Sequence, residues 1–299
     1  MDWIYFVLFA TLMWSISNIA DKYLIDKRIK KPLVMTILIR TSSLAPLIFI
    51  FPFVTLSLPS AGFLVWILLA SIFAAGGLLI YYHAIQIGEI SRTIPIFQFI
   101  PIFVLFLSFF FIREVLGFFD YLGFVVLIIG GLVISAARLT RLFKIERVFL
   151  LVVFSSLLYA ISYVIMKHVL TNVEYWSTFF LVWALQTLII SSLLLSKKTR
   201  KETKFYIKIL GRKDKLIILM NAVVSVMAFI FNYFAISLGP VTLVEAAGNM
   251  QLAFTFLFAI IFTRFFPYII KERFDRSVTV QKAAGIILII TGVLLTQLF

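Results

Sequence analysis

Ten apolar runs divide this chain, and each has the length and uniformity of a helix that crosses a bilayer. They cover residues 3–20, 33–53, 63–82, 93–112, 118–137, 148–166, 176–195, 216–236, 243–263 and 283–299. The hydrocarbon core of a membrane takes ~20 residues of helix, and a helix satisfies every backbone N–H and C=O within one segment. Strands of a membrane barrel alternate apolar and polar over ~10 residues. These runs do not alternate. Composition agrees: 63% of the 299 residues are hydrophobic and the mean hydropathy is +1.12, against ~45–50% apolar in soluble domains. Lipid is the solvent for most of this chain. Run 3–20 has no basic segment before it and no small-residue cleavage site after it. It reads as a retained first helix, not a signal peptide.

The runs are two copies of one unit. Phe9, Leu12, Ile16, Ser17 and Lys22 recur in register as Phe154, Leu157, Ile161, Ser162 and Lys167. Tyr82, Ala84, Ile85 and Gly88 recur as Tyr233, Ala235, Ile236 and Gly239, and the same register carries Arg113 onto Arg264. A third match sets Gly123 and Gly130 against Gly285 and Gly292. The order is kept, so the whole unit is duplicated: residues 1–140 and 148–299, five helices each. With an odd number of spans per half, the second half enters the membrane in the opposite direction. The expected fold class is an all-α polytopic membrane protein with ten transmembrane helices arranged as two inverted five-helix repeats.

Charge orients it. The net charge is +14, from 27 Lys+Arg against 13 Asp+Glu. Nucleic acid is one partner for such a balance. Here the basic residues fill the short loops after the odd-numbered runs, so the membrane surface explains them and no nucleic-acid partner is expected. The positive-inside rule then puts those loops in the cytoplasm and both termini outside, in a multi-pass plasma-membrane protein. Only Arg113 and Lys167 break the pattern. Each ends a helix. Two readings stand: favourable contact with the helix dipole plus snorkelling, or a pair of cationic entrances for anionic substrate groups. The 197–215 stretch reads as a solvated loop, with a short amphipathic surface helix near Phe205–Leu210 as the alternative. There is no cysteine, and His83 and His168 lack ligand spacing, so neither a metal nor a cofactor is expected.

In this order the pieces resemble the drug/metabolite transporter superfamily, in particular its EamA-like members. They are Trp14-Ser15-x-Ser17-Asn18 in the first run, Ala84-Ile-Gln-Ile-Gly88 followed by Pro95 and Pro101, and Arg113-Glu114 ahead of Gly123 and Gly130. The resemblance implies ten helices, inverted repeats, a central cavity and movement of small metabolites by alternating access. There are two departures. The mate of Glu114 is Phe265, followed by about eleven extra residues between the second and third repeat registers. Many family members are expected to keep both termini in the cytoplasm, against the charge pattern here.

Polar side chains inside a span face a cavity or another helix. Thr11, Trp14, Ser15, Asn18 and Asp21 share one face of the first run, and Ser155, Tyr159, Ser162, Tyr163 and Lys167 one face of the sixth. Asn249 is the repeat mate of Gln98, which Pro95 and Pro101 bracket. The expected substrate-binding set is Trp14, Ser17, Asn18, Tyr82, Gln98, Tyr159, Ser162, Tyr163, Asn232 and Asn249. For the serines, simple bonding between helices is the competing reading; for Trp14, Tyr82 and Tyr159 it is packing or lipid contact. Arg40 stands alone in the second run, with a buried partner or a kinked, wetted helix as its two explanations. Glu245 is the candidate for proton coupling, since burial raises a carboxyl into an exchangeable range; a favourable place in the first turn of its helix is the alternative. The paired glycines suit close helix contact within one chain, or a homodimer seam.

The reading at this level is a secondary transporter, working as an exporter of a small organic metabolite, monomeric or homodimeric, with protons as the candidate coupling ion. A flippase for lipid-linked intermediates and a non-transporting scaffold are the alternatives. No phosphate-binding Gly-x-x-x-x-Gly-Lys-Ser/Thr loop occurs, which argues against direct ATP use. No acid or histidine cluster argues for an enzyme.

Overall fold

The computed structural model describes residues 2–87, 97, 99–136, 147–265 and 276–298. These contain α-helices and no strand. In chain order the helices are α1 (Trp3–Lys27), α2 (Pro32–Ser42), α3 (Leu44–Ile50), α4 (Ala61–Ile87), α5 (Phe99–Phe111) and α6 (Phe118–Ala136). There follow α7 (Arg147–Asn172), α8 (Tyr175–Ser192), α9 (Lys197–Ile209), α10 (Arg212–Leu238), α11 (Val241–Ala247), α12 (Met250–Phe265) and α13 (Arg276–Leu298). Among the described residues nine segments are long and apolar enough to cross a membrane. In the run expected over 93–112, α5 is a shorter apolar helix of 13 residues. Pro95, Gln98 and the side chain of Tyr82 lie outside the described residues, as does the 137–146 segment between the halves.

Local chemistry sets the boundaries. Pro32 opens α2 at a position where its missing N–H would have no partner. Glu174 caps α8, accepting from the N–H groups of Trp176 (2.8 Å) and Ser177 (2.6 Å). Partial burial works against its charge, but those N–H groups outweigh it and hold the carboxyl below its ordinary range. Gly239 and Pro240 stop α10. Two spans are broken: α2 gives way to α3 at Ser43, and α11 to α12 at Gly248–Asn249.

The polarity is inside-out relative to a soluble protein. Phe53, Phe110, Phe111 and Phe118 are exposed on the outside, while Ser155, Ser162, Thr178 and Asn232 are buried. That distribution is stable only where the outer solvent is apolar.

The helices pack in corresponding pairs. α1 runs antiparallel against α10, with Ser17 opposite Ser225 and Asp21 opposite Asn221. α4 runs antiparallel against α7, where Ser155 Oγ donates to the Gly77 carbonyl (2.7 Å) and Ser162 Oγ to that of Ala70 (2.9 Å). α6 lies against α13 along the four matched glycines: Gly123 faces Gly292 and Gly130 faces Gly285. All four are consumed inside one chain, which decides between the two readings given for them.

Residues 197–215 correct the expectation of a solvated loop, because Lys197–Ile209 is helical. Tyr206 and Leu210, one turn apart, pack against Leu24, Ile29 and Val34, and Lys31 pairs with Glu202 at 3.0 Å. Anchoring along one face stabilises a helix whose other faces carry lysines.

Candidate functional site: a cavity between the halves

Between these pairs lies a cavity of about 230 Å³. Trp14, Ser17 and Asn18 of α1 line it, and so do Tyr159, Ser162 and Tyr163 of α7. These are repeat mates, position for position, in the register that matches Phe9 to Phe154. The register that matches Tyr82 to Tyr233 does the same for α4 and α10: Ala74 and its mate Ser225, and Leu78 and its mate Phe229, all reach the cavity. Residues at i, i+3 and i+4 share a helix face, so one face of each of four helices meets here. The aromatic walls touch one another: Trp14 meets Phe229 edge-on at 5.4 Å, and Tyr159 stacks on Tyr163 at 6.3 Å.

Three expected residues stand elsewhere. Asn249 is buried, and its Nδ2 donates to the Leu127 carbonyl at 3.1 Å. It ties the α11–α12 break to α6. Asn232 is also buried, with Nδ2 3.5 Å from Glu245 Oε1. Neither these two nor Glu245 lines the cavity. An amide in a dry bundle needs a partner, and here a backbone carbonyl and a carboxylate supply it instead of a wetted space. The serines divide. Ser156 donates to its own helix at the Val152 carbonyl, Ser15 crosses to the Gln251 carbonyl, and Ser17 pairs with Ser225 at 3.1 Å on the cavity wall.

The largest group the sequence reading left unassigned is on α2 and α8. Arg40 is buried yet lines the cavity. Its Nη2 donates to Gln186 Oε1 at 2.7 Å, and its guanidinium lies 4.4 Å above the Trp183 ring. The Trp183 indole N–H donates to Ser43 Oγ (2.8 Å), which itself donates to the Arg40 carbonyl (2.6 Å) at the α2–α3 break. Both explanations given for this arginine apply: it has a buried partner, and its helix breaks beside a cavity. An isolated charge in the second run was the available signal. Gln186 and Trp183 carry no charge and had no such mark. Asp21 also lines the cavity and accepts from Asn221 Nδ2 at 2.6 Å.

The two exceptional cations meet in a second recess of about 460 Å³, lined by Arg113, Glu114, Lys167 and His168. Lys167 Nζ donates to the carbonyls of Ile236 and Gly239, both at 2.8 Å. It neutralises the C-terminus of α10, not that of its own helix. Glu114 does the reverse at the neighbouring end, accepting from the N–H groups of Val241 (2.8 Å) and Thr242 (3.1 Å).

Broken spans, a polar interior and apolar outer faces define a multi-pass helical membrane protein with an aromatic-lined cavity. Residues 1–136 match the model of the EamA-like transporter family. That match covers just under half of the chain and is consistent with the drug/metabolite transporter superfamily. No curated protein matches the chain. Of 27 solved chains that match, one crystal structure superposes with a TM-score of 0.69 over 99% of this chain and 96% of the other. At 13% sequence identity that likeness concerns the fold alone.

Proposed function

We propose that the protein is a secondary transporter that exports a small organic solute by alternating access, and that its halves form inverted five-helix repeats around ten spans. One observation carries this reading. Trp14, Ser17 and Asn18 and their repeat mates Tyr159, Ser162 and Tyr163 all line one cavity, as a substrate site on the axis between two related halves requires. The glycine seam supports the inversion. A two-fold axis in the membrane plane turns the Gly123–Gly292 contact into the Gly285–Gly130 contact, and both contacts are present.

Solute flux in proteoliposomes, screened over a metabolite panel, tests the transport reading. Trp14→Ala and Tyr159→Ala are expected to lower flux by roughly five- to a hundredfold, the loss of one good contact. Phe154→Ala, on the exposed side of α7, is expected to leave it unchanged. Equal effects at all three positions would remove the cavity from the mechanism.

Both termini are proposed to lie outside and α9 in the cytoplasm. The chain has no cysteine of its own, so single cysteines report cleanly. An impermeant thiol reagent on intact cells should label a cysteine at the exposed Ser60 and spare one at the exposed Lys201. The opposite pattern would invert the topology.

A further inference from the structure

We infer that the solute carries a planar anionic group, a carboxylate or its equivalent, and that Arg40 is the residue that reads it. This deepens the transporter reading and rests on it for the word solute, though not for the site itself.

Position comes first. Arg40 stands eight residues beyond Pro32 in a span of 22 residues, so about 12 Å of helix separates it from the start of the span. A guanidinium at that depth is costly wherever lipid surrounds it. Here it lies along the wall of a cavity. Presentation comes second. The Trp183 ring, 4.4 Å from the guanidinium, and the Gln186 bond together restrain the fork. The planar fork of a guanidinium matches the two oxygens of a carboxylate, and a point charge such as lysine does not. Asymmetry comes third. Several positions on the other walls are repeat mates, among them Trp14 with Tyr159 and Leu78 with Phe229. α2 brings a cation, and its counterpart α8 brings an amide and an indole. Symmetric packing does not call for that difference; binding a charged group against one wall does. The other charged residue lining the cavity among the described residues, Asp21, is engaged by Asn221 on the α1–α10 side. The remaining walls, Trp14, Tyr159 and Phe229, suit a flat apolar body attached to the anion.

The test is a charge series on one ring: benzoate, benzamide and benzylamine, titrated at constant ionic strength against purified protein. Binding is read from tryptophan fluorescence, with Trp14 and Trp183 on the cavity wall, and from the thermal midpoint. Benzoate should bind saturably and at least about tenfold tighter than either analogue. Arg40→Gln should remove that preference, and Arg40→Lys should keep its sign while weakening it. Equal binding of benzamide, binding of none of the three, or an Arg40→Gln variant with wild-type benzoate affinity would overturn the proposal. The wild-type series decides by itself if Arg40→Gln fails to fold. Labelled benzoate flux in proteoliposomes separates the two readings. Binding without flux would keep the anion site and remove the transporter; flux without charge preference would do the reverse.

Discussion

Gly130→Val is expected to be among the most damaging single changes in this protein. A Cβ at Gly130 would sit 2.8 Å from Ile289 Cγ1, 2.9 Å from the Ile289 nitrogen and 3.0 Å from the Gly285 carbonyl oxygen. Two of those atoms are backbone, so no rotamer change relieves the clash, and α6 and α13 must separate. In lipid, helix association depends on close van der Waals contact and not on expulsion of water. Overpacking of this kind costs ~1–3 kcal/mol, and each kcal/mol moves the midpoint of a chain this size by about 2–4 °C. Gly285→Val should match it, because it faces the same seam from the other side, with the Gly130 carbonyl oxygen at 2.9 Å. Gly62→Val is the control, with nothing within 4 Å of an added Cβ. Thermal unfolding in detergent, followed by intrinsic fluorescence, distinguishes them. Similar midpoints for Gly130→Val and Gly62→Val would show that the seam tolerates separation.

Glu114→Ala should be nearly as costly. Its carboxylate receives two backbone N–H groups and the Thr242 hydroxyl, at 2.8, 3.1 and 2.5 Å. These belong to the first turn of α11, where N–H groups have no partner within the helix. The chain reaches them because Arg113 turns the backbone with a φ of 55°. Removing the carboxylate leaves buried donors unsatisfied, at ~1–3 kcal/mol. Glu114→Gln keeps one acceptor oxygen and should recover about half. Thr242→Val combined with Glu114→Ala should cost less than the sum of the two, since they share one bond. Additive losses measured by thermal unfolding would mean that the cap contributes nothing through Thr242.

Much of this architecture was legible before the structure. Periodicity puts Trp14 and Asn18 on one face and Tyr159, Ser162 and Tyr163 on another, the repeat register adds Ser17 as the mate of Ser162, and all six line one cavity. Asn249 and Asn232 were assigned to the same space because polar groups in lipid need company. The structure gives them company of another kind, a carbonyl on α6 and the Glu245 carboxylate. Sequence cannot separate those outcomes, since both satisfy the same amide. Arg40 showed the opposite problem. Its oddity was plain, but its partner is 146 residues away, and no local pattern spans that distance. The sequence reads as a solvated loop over 197–215 with only a short surface helix near Phe205–Leu210 as the alternative, whereas the helix runs over Lys197–Ile209. The few positions that anchor it, Tyr206 and Leu210 above all, count for more than its charge.

The shared cavity has a consequence for how the protein holds together. Its walls hold residues of both halves, so a molecule that fills its volume of about 230 Å³ touches both. Such a molecule is a reversible crosslink. Its binding energy is spent on the junction between the halves, not inside either. Unfolding in its presence should therefore become more cooperative as well as later, because two parts that could melt separately are obliged to melt as one.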